Sequence, residues 1–287
     1  MADNAFSERP DTAILDNVRS ERVKKIAALS GRSARNKTGL YRVEGPHGVT
    51  ALLEKQPASL RELFITRQEA QRRPEIVSLA RDAGQRPVFV TDEVLRAMVR
   101  DQRAQGADRG AQNPQGVLAV AAQRVFPLSA LLAGDDPLRI AVFHEIRDPG
   151  NAGTVLRAAD ASGADAVVFT AGSVDPFSPK VVRSTAGSLF HLPLVVGIEM
   201  DEVISSCREA GLTLAAASGY AEESLYRVSL PQRLAWVFGN EAHGLPDTVM
   251  AACEKRVAIP ITGSAESLNL AMAATLCLFE AQRRSLP

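Results

Sequence analysis

Short apolar runs separated by amphipathic stretches set the organisation of this chain. In residues 18–30, Val23, Ile26, Ala27 and Leu29 fall on one side and basic residues on the other, the three-to-four spacing of a helix. LYRVEG (40–45) alternates like a strand, and PHGVTALLEKQ reads as a helix with Pro46 at its start. ELFIT and PVFVT read as strands, with PEIVSLARDAG between them as a helix closed by Gly84. DEVLRAMVR is a helix capped by Thr91 or Asp92, and GVLAVAAQ (116–123) is an apolar strand. This alternation predicts an α/β domain of about a hundred residues over 18–123. Residues 1–17 are expected to be a loose tail, and 124–139, with PLSALLAGDDPLR, a linker.

A second alternation fills residues 140–287. IAVFHEI, DAVVFTAG, LPLVVG, LTLAAASG, LAWVFGN and KRVAIPI read as strands. AGTVLRAADASG, a segment within FSPKVVRSTAG, DEVISSCREAG and SLNLAMAATLCLFEAQRR read as helices. Buried strands alternating with helices predict a largely parallel sheet covered on both faces.

Composition narrows the function classes. Of 287 residues, 46% are hydrophobic and 23% charged, the balance of a soluble globular protein. The polar N-terminal stretch does not read as a signal peptide, and no apolar run reads as a membrane span. Three scattered cysteines without a CxxC, and four scattered histidines, argue for a reduced cytoplasmic protein with neither disulfide frame nor metal site. The net charge of zero conceals an asymmetry: residues 1–137 carry 21 Lys+Arg against 17 Asp+Glu, and the remainder reverses the excess. Residues 18–42 hold eight basic residues and one acid. Such a patch suits a polyanion, although a solvated helix face has the same composition. GRSARNKTG favours the polyanion, because a Gly/Ser/Asn-rich loop would keep Arg32, Arg35 and Lys37 exposed.

Polar residues then gather at predicted strand ends, where open α/β sheets bind ligands. RDPGNAGTVLRAAD (147–160) offers Asn151 as a helix cap and Arg157 as a partner for phosphate or carboxylate; a capped helix with a surface arginine is the plain alternative. VFGNEAHGLPD (237–247) runs a buried strand into Gly239 and Glu241; it could equally be a turn with a solvated carboxylate. In IPITGSAESLNLAMAA (259–274), Ser267 reads as an N-cap and Asn269 lies two positions inside the helix, where asparagine is unfavourable. Ile259, Ile261 and Leu268 would form an apolar wall beside them. Arg183, before Ser-Thr-Ala-Gly, marks another anion-friendly helix segment. No GxGxxG follows an early strand, so a Rossmann fingerprint is absent.

Taken in order, NAG…R, GNE…G and IP…SLN resemble the signature segments of the SpoU (TrmH-like) family of SPOUT RNA ribose 2′-O-methyltransferases. GRSARNKTGLYRVEGPHGV and NPQGVLAVA resemble that family's ribosomal-protein-L30e-like RNA-binding extension, so the likeness covers about residues 20–285. The resemblance implies an α/β fold with a deep trefoil knot, a homodimer, S-adenosylmethionine as cofactor and RNA as partner, with no metal or membrane. It implies cofactor contacts from Ala217, Gly239, Ile259 and Leu268. Asn151, Arg157, Glu241, Ser267 and Asn269 match its catalytic and substrate-positioning residues, and Arg183 an arginine near the target phosphate. Arg157 would stabilise charge and orient phosphate, since arginine stays protonated. Glu241 would fix Arg157 or Asn151. His144 stands where many members have an acid. The implied activity is 2′-O-ribose methylation, with 23S ribosomal RNA as the expected target. A transfer-RNA methyltransferase, a catalytically silent RNA-binding protein and a small-molecule α/β enzyme are the competing readings.

Overall fold

Capping side chains and glycines set the element boundaries in the computed structural model, which describes residues 14–100 and 114–285. The chain divides into two units, residues 1–123 and 124–287. The first contains α1 (Glu21–Ala28), α2 (Arg32–Thr38), β1 (Leu40–Glu44), α3 (Pro46–Lys55), β2 (Leu60–Ile65), α4 (Arg67–Arg72), α5 (Pro74–Asp82), β3 (Val88–Phe89), α6 (Asp92–Val99) and β4 (Val117–Ala122). Ser20, Thr66 and Thr91 cap α1, α4 and α6 by accepting backbone N–H bonds, and Pro46 occupies the first turn of α3. The sheet order is β1-β4-β2-β3, antiparallel except for the β2–β3 pair. Val23 and Ile26 of α1 and Leu29 at its C-cap pack with Val94, Leu95 and Met98 of α6 over Phe64, Leu118 and Val120.

Two expectations change here. The segment 32–38 is helical because Gly31 and Gly39 frame it, Gly39 in the left-handed conformation. Arg35 is consequently buried, 2% exposed, and its guanidinium donates to the carbonyls of Leu29 and Ser30. It braces the α1–α2 corner and is not an exposed RNA contact; Arg32 and Lys37 are exposed. Arg42 is likewise buried, donating to the Met98 and Val99 carbonyls at the end of α6. Of the expected loose tail, residues 1–13 lie outside the described residues, while Leu15 is tied to the Phe89 and Thr91 backbones as a bridge beside Val90.

The second unit contains α7 (Leu128–Leu131), β5 (Leu138–Phe143), α8 (Pro149–Ala161), β6 (Ala166–Thr170), α9 (Pro179–Ser184), β7 (Leu194–Ile198), α10 (Met200–Glu209), β8 (Thr213–Ala217), β9 (Glu223–Ser224), β10 (Arg233–Phe238), α11 (Asp247–Ala252), β11 (Lys255–Ala258) and α12 (Leu270–Ser285). Its seven strands are ordered β7-β6-β5-β10-β8-β11-β9, every pair parallel. Alternate strand residues serve opposite faces. Ile140, Val142, Val168, Leu214 and Val237 pack with Val203, Ile204 and Cys207 of α10 and with Leu128 and Leu132. The segment expected to be a linker therefore contributes to this core. On the other register, Phe143 stacks against Phe169 and Phe238 at 5.8 and 5.2 Å.

The C-terminal helix is pinned by a charge cluster. Glu280, 8% exposed, accepts from Arg283 and Arg284, and Arg284 also donates to the Leu225 and Val228 carbonyls. The Arg283 hydrogen bond, with burial opposing it, brings the Glu280 pKa down from 4.5 to about 2. A depressed carboxylate stabilises the fold fully above its unfolded pKa and loses that contribution as pH falls from about 4.5 to about 2. Arg283 is largely solvated, which trims the effect. Glu280→Gln is expected to lower unfolding free energy by about 2 kcal/mol at pH 7, measured by urea titration, with the gap to wild type closing near pH 2.

Candidate active site

The strand order puts β10 between β5 and β8, so chain segments distant in sequence meet at the carboxyl ends of neighbouring strands. A topological switch of this kind leaves room for a ligand. The loops after β5, β8, β10 and β11 converge there. Gly239 follows β10, and Asn240 and Gly244 exchange backbone hydrogen bonds at 3.0 and 2.9 Å, which folds residues 240–244 into a closed loop. Asn240 Nδ2 donates to the Glu145 carbonyl at 2.7 Å and ties that loop to the one after β5. A Cβ at residue 239 would stand 2.2 Å from the Gly244 carbonyl carbon, so the loop closes over a position only glycine can fill.

Glu241 is the hub. Its carboxylate accepts from Arg147 N–H at 3.1 Å, Asp148 N–H at 3.0 Å and Asn151 Nδ2 at 3.2 Å. Asn151 Oδ1 in turn accepts from Asn269 Nδ2 at 3.1 Å. Partial burial pushes the Glu241 pKa upward, but its own backbone N–H, those of Arg147 and Asp148, and the Asn151 amide outweigh it. The net pKa lies below the ordinary carboxylate value, so Glu241 is charged at neutral pH. These bonds answer the open question of its partner: Glu241 holds Asn151, and Arg157 is not among its hydrogen-bond partners.

Local capping differs from expectation at two positions. Asp148, not Asn151, caps α8 by accepting the Asn151 N–H at 2.7 Å, which frees the Asn151 amide for the network. Asn269 precedes α12 and accepts the Ala271 N–H at 2.8 Å, so it is the capping residue and is not inside the helix. Ser267 lies two residues earlier in the loop. Nothing in residue type distinguishes these registers, because Ser, Asn and Asp all cap well.

A cavity of about 370 Å³ adjoins this network. Ala217, Gly239, Ile259 and Leu268 all line it, together with Glu241, Ser267 and the apolar side chains of Phe238 and Ile261. Its size lies within the usual range for small-molecule sites. Ser218, Gly219, Tyr220 and Asn240 also line it and were not anticipated, although the Ser-Gly turn after an apolar strand was a readable signal. A hollow of about 580 Å³ in the first unit, lined by Arg67, Arg81 and Phe89 among others, shares none of these residues.

Arg157 and Arg183 are not part of the cavity lining. Arg157 is exposed on α8, six residues beyond Asn151 and therefore on a different face. Arg183 is exposed in the last turn of α9, which abuts the start of α8: Ser184 Oγ donates to the Pro149 carbonyl at 3.1 Å. A Cβ on Gly153 would fall 1.8 Å from Ser184 Oγ, so this close approach needs glycine. His144, near the same edge, lies 3.4 Å from the Thr170 hydroxyl. Among the described residues, no cluster of His, Cys, Asp and Glu is placed to hold a metal.

A parallel sheet with a ligand cavity bounded by returning C-terminal loops defines an α/β enzyme architecture, and comparison with known proteins makes it specific. Residues 138–279 match the SpoU rRNA Methylase family, and residues 20–107 match an MRM3-like substrate binding domain. The chain is 31% identical over 242 residues to a 23S rRNA (guanosine-2′-O-)-methyltransferase RlmB of Nitrosomonas europaea, covering 84% of this chain and 90% of that one. An AdoMet-bound rRNA methyltransferase from Sinorhizobium meliloti superposes with a TM-score of 0.82 at 27% identity, over 97% of this chain and 100% of that one. The SpoU methyltransferase AviRb of Streptomyces viridochromogenes, in complex with AdoMet, gives 0.76 at 28% identity, over 93% and 98%. The chain belongs to the SpoU rRNA methylase family.

Proposed function

We propose that this protein transfers a methyl group from S-adenosylmethionine to a ribose 2′-hydroxyl of 23S ribosomal RNA. The observation that carries the proposal is the meeting of Asn151, Glu241 and Asn269 in one hydrogen-bonded chain beside a cavity lined by Ala217, Gly239, Ile259 and Leu268. The cavity fits the cofactor: Phe238, Ile259, Ile261 and Leu268 offer an apolar wall to a purine, and Ser267 and Glu241 offer polar atoms to its charged portion. When bound, S-adenosylmethionine supplies an electrophilic methyl on sulfonium. Ser267 and Asn269 orient the ribose or the loop that borders it. Glu241 fixes Asn151 and the β5 loop, and the Arg157 guanidinium stabilises negative charge developing at the ribose oxygen.

The chain works as a homodimer in this account. Met272, Leu276 and Phe279 of α12 are 62%, 40% and 41% exposed and recur at helical spacing, which forms an apolar stripe suited to a second copy. A partner subunit then brings its Arg157 to the site from which this chain's own Arg157 faces away. The insertion of β10 and β11 between strands formed earlier in sequence supports threading of the C-terminal segment as a trefoil knot. Three buried free cysteines suit a reducing, cytoplasmic setting.

RNA contact is assigned to Arg32, Lys37 and Arg183 as phosphate partners, without Arg35. Arg32→Gln with Lys37→Gln is expected to flatten the slope of log affinity against log salt by about 1.4 to 1.8, measured by filter binding. An unchanged slope places the RNA path elsewhere. The proposal itself is tested with labelled S-adenosylmethionine and purified 23S RNA or transfer RNA. Label entering 23S RNA supports it; label entering transfer RNA alone favours the transfer-RNA reading. Binding of RNA with no label transferred would reveal a catalytically silent protein.

A further inference from the structure

We propose that Tyr220 forms the movable second face of the cofactor's purine subsite. Its side chain is fully solvent-exposed, at 100%, yet the residue lines the cavity that holds Phe238, Ile259 and Leu268. A bare aromatic ring leaves roughly 150–250 Å² of surface in water, so a ligand that covers it gains affinity. The loop is built to present the ring. Ser218 N–H donates to the Val257 carbonyl at 2.9 Å at one end, and Leu225 N–H to the Ala258 carbonyl at 2.8 Å at the other. Arg284 clamps the far side through the Leu225 and Val228 carbonyls. Between these anchors, Ser218 Oγ accepts the Tyr220 N–H at 3.3 Å, and Gly219 has open space around it. Ala221 N–H also donates to the Ser218 carbonyl at 3.3 Å, so the tip is a short turn with fixed ends, and rotation of the exposed Tyr220 side chain is what would carry its ring over the cavity.

The apolar residues opposite supply one face to a planar ring, and Tyr220 supplies the other. A nucleobase is the chemistry that such a pair of walls recognises. The purine of the methyl donor is favoured over a base of the RNA because Tyr220 borders the cavity on the β8 side. Asn151 and Asn269, which mark the acceptor, belong to the first turn of α8 and to the entry of α12.

The test is isothermal titration of the full-length protein with S-adenosylmethionine and S-adenosylhomocysteine, alongside steady-state kinetics. Tyr220→Ala is expected to raise the dissociation constant of both ligands about 3- to 10-fold, the value of one aromatic stack, with KM for RNA within twofold of wild type. Tyr220→Phe keeps the ring and is expected to match wild type. An exposed side chain should not alter folding, which the thermal melting curve checks. Unchanged affinity for both ligands in Tyr220→Ala overturns the inference, and a raised KM for RNA with that result would assign the ring to an RNA base. Failure of the wild-type chain to bind either ligand would overturn the proposed function itself.

Discussion

Arg157→Ala is expected to reduce kcat for methyl transfer by about 100-fold or more while leaving S-adenosylmethionine affinity within threefold, because removing one charge-stabilising group typically costs 10²–10³ in rate. The geometry explains the split. Arg157 is exposed on α8, contributes nothing to the cavity lining, and its side chain has no hydrogen bond or ion pair among the described residues. Its guanidinium is thus available to a phosphate or ribose oxygen, and its removal leaves the cofactor walls intact. Arg157→Lys keeps the charge but loses the planar fork, and is expected to recover part of the rate. Mixing the Arg157→Ala and Asn269→Ala proteins tests the dimer. If the partner subunit donates Arg157, mixed dimers hold one intact site and activity returns to a measurable fraction of wild type. Turnover of Arg157→Ala equal to wild type removes this residue from the mechanism.

Gly239→Ala is the second large effect. A methyl at that position would stand 2.2 Å from the Gly244 carbonyl carbon and 2.4 Å from the Leu245 nitrogen. Both are backbone atoms and cannot turn aside. The loop must therefore open, breaking the Asn240–Gly244 hydrogen bonds and moving Glu241 away from the β5 loop. Overpacking of this kind costs about 1–3 kcal/mol. Because the strain falls on the cavity wall, it is expected as a loss of S-adenosylmethionine affinity of about 10- to 100-fold by titration calorimetry, with kcat also lowered. Wild-type affinity in this variant would show that the 239–245 loop does not shape the cofactor site.

Much of the fold was legible because buried parallel strands announce themselves as apolar runs. LAWVFGN and LTLAAASG became β10 and β8, the strands that end at the cavity. For α6 the sequence left the cap between Thr91 and Asp92, and the structure gives it to Thr91. Arg35 misled because a Gly/Ser/Asn-rich basic segment has the composition of a loop, while Gly31 and Gly39 in fact frame a short helix that turns the guanidinium inward. The 127–139 segment carries prolines and acids like a linker, but Leu128 and Leu132 are core residues. Within the site, the candidate residues were recognisable by motif and their connections were not. The bonds from Asn151 to Glu241 and to Asn269 span 90 and 118 residues, and only the strand order brings them together. Periodicity describes one element at a time and carries no information about that order.

The most direct test is nucleoside mass spectrometry of 23S RNA digested after incubation with the purified protein and S-adenosylmethionine. A single 2′-O-methylnucleoside, formed about 100-fold or more slowly when Arg157→Ala replaces wild type, is the predicted product. A methyl group on a base, or no methylated nucleoside from RNA that the protein demonstrably binds, would contradict the account.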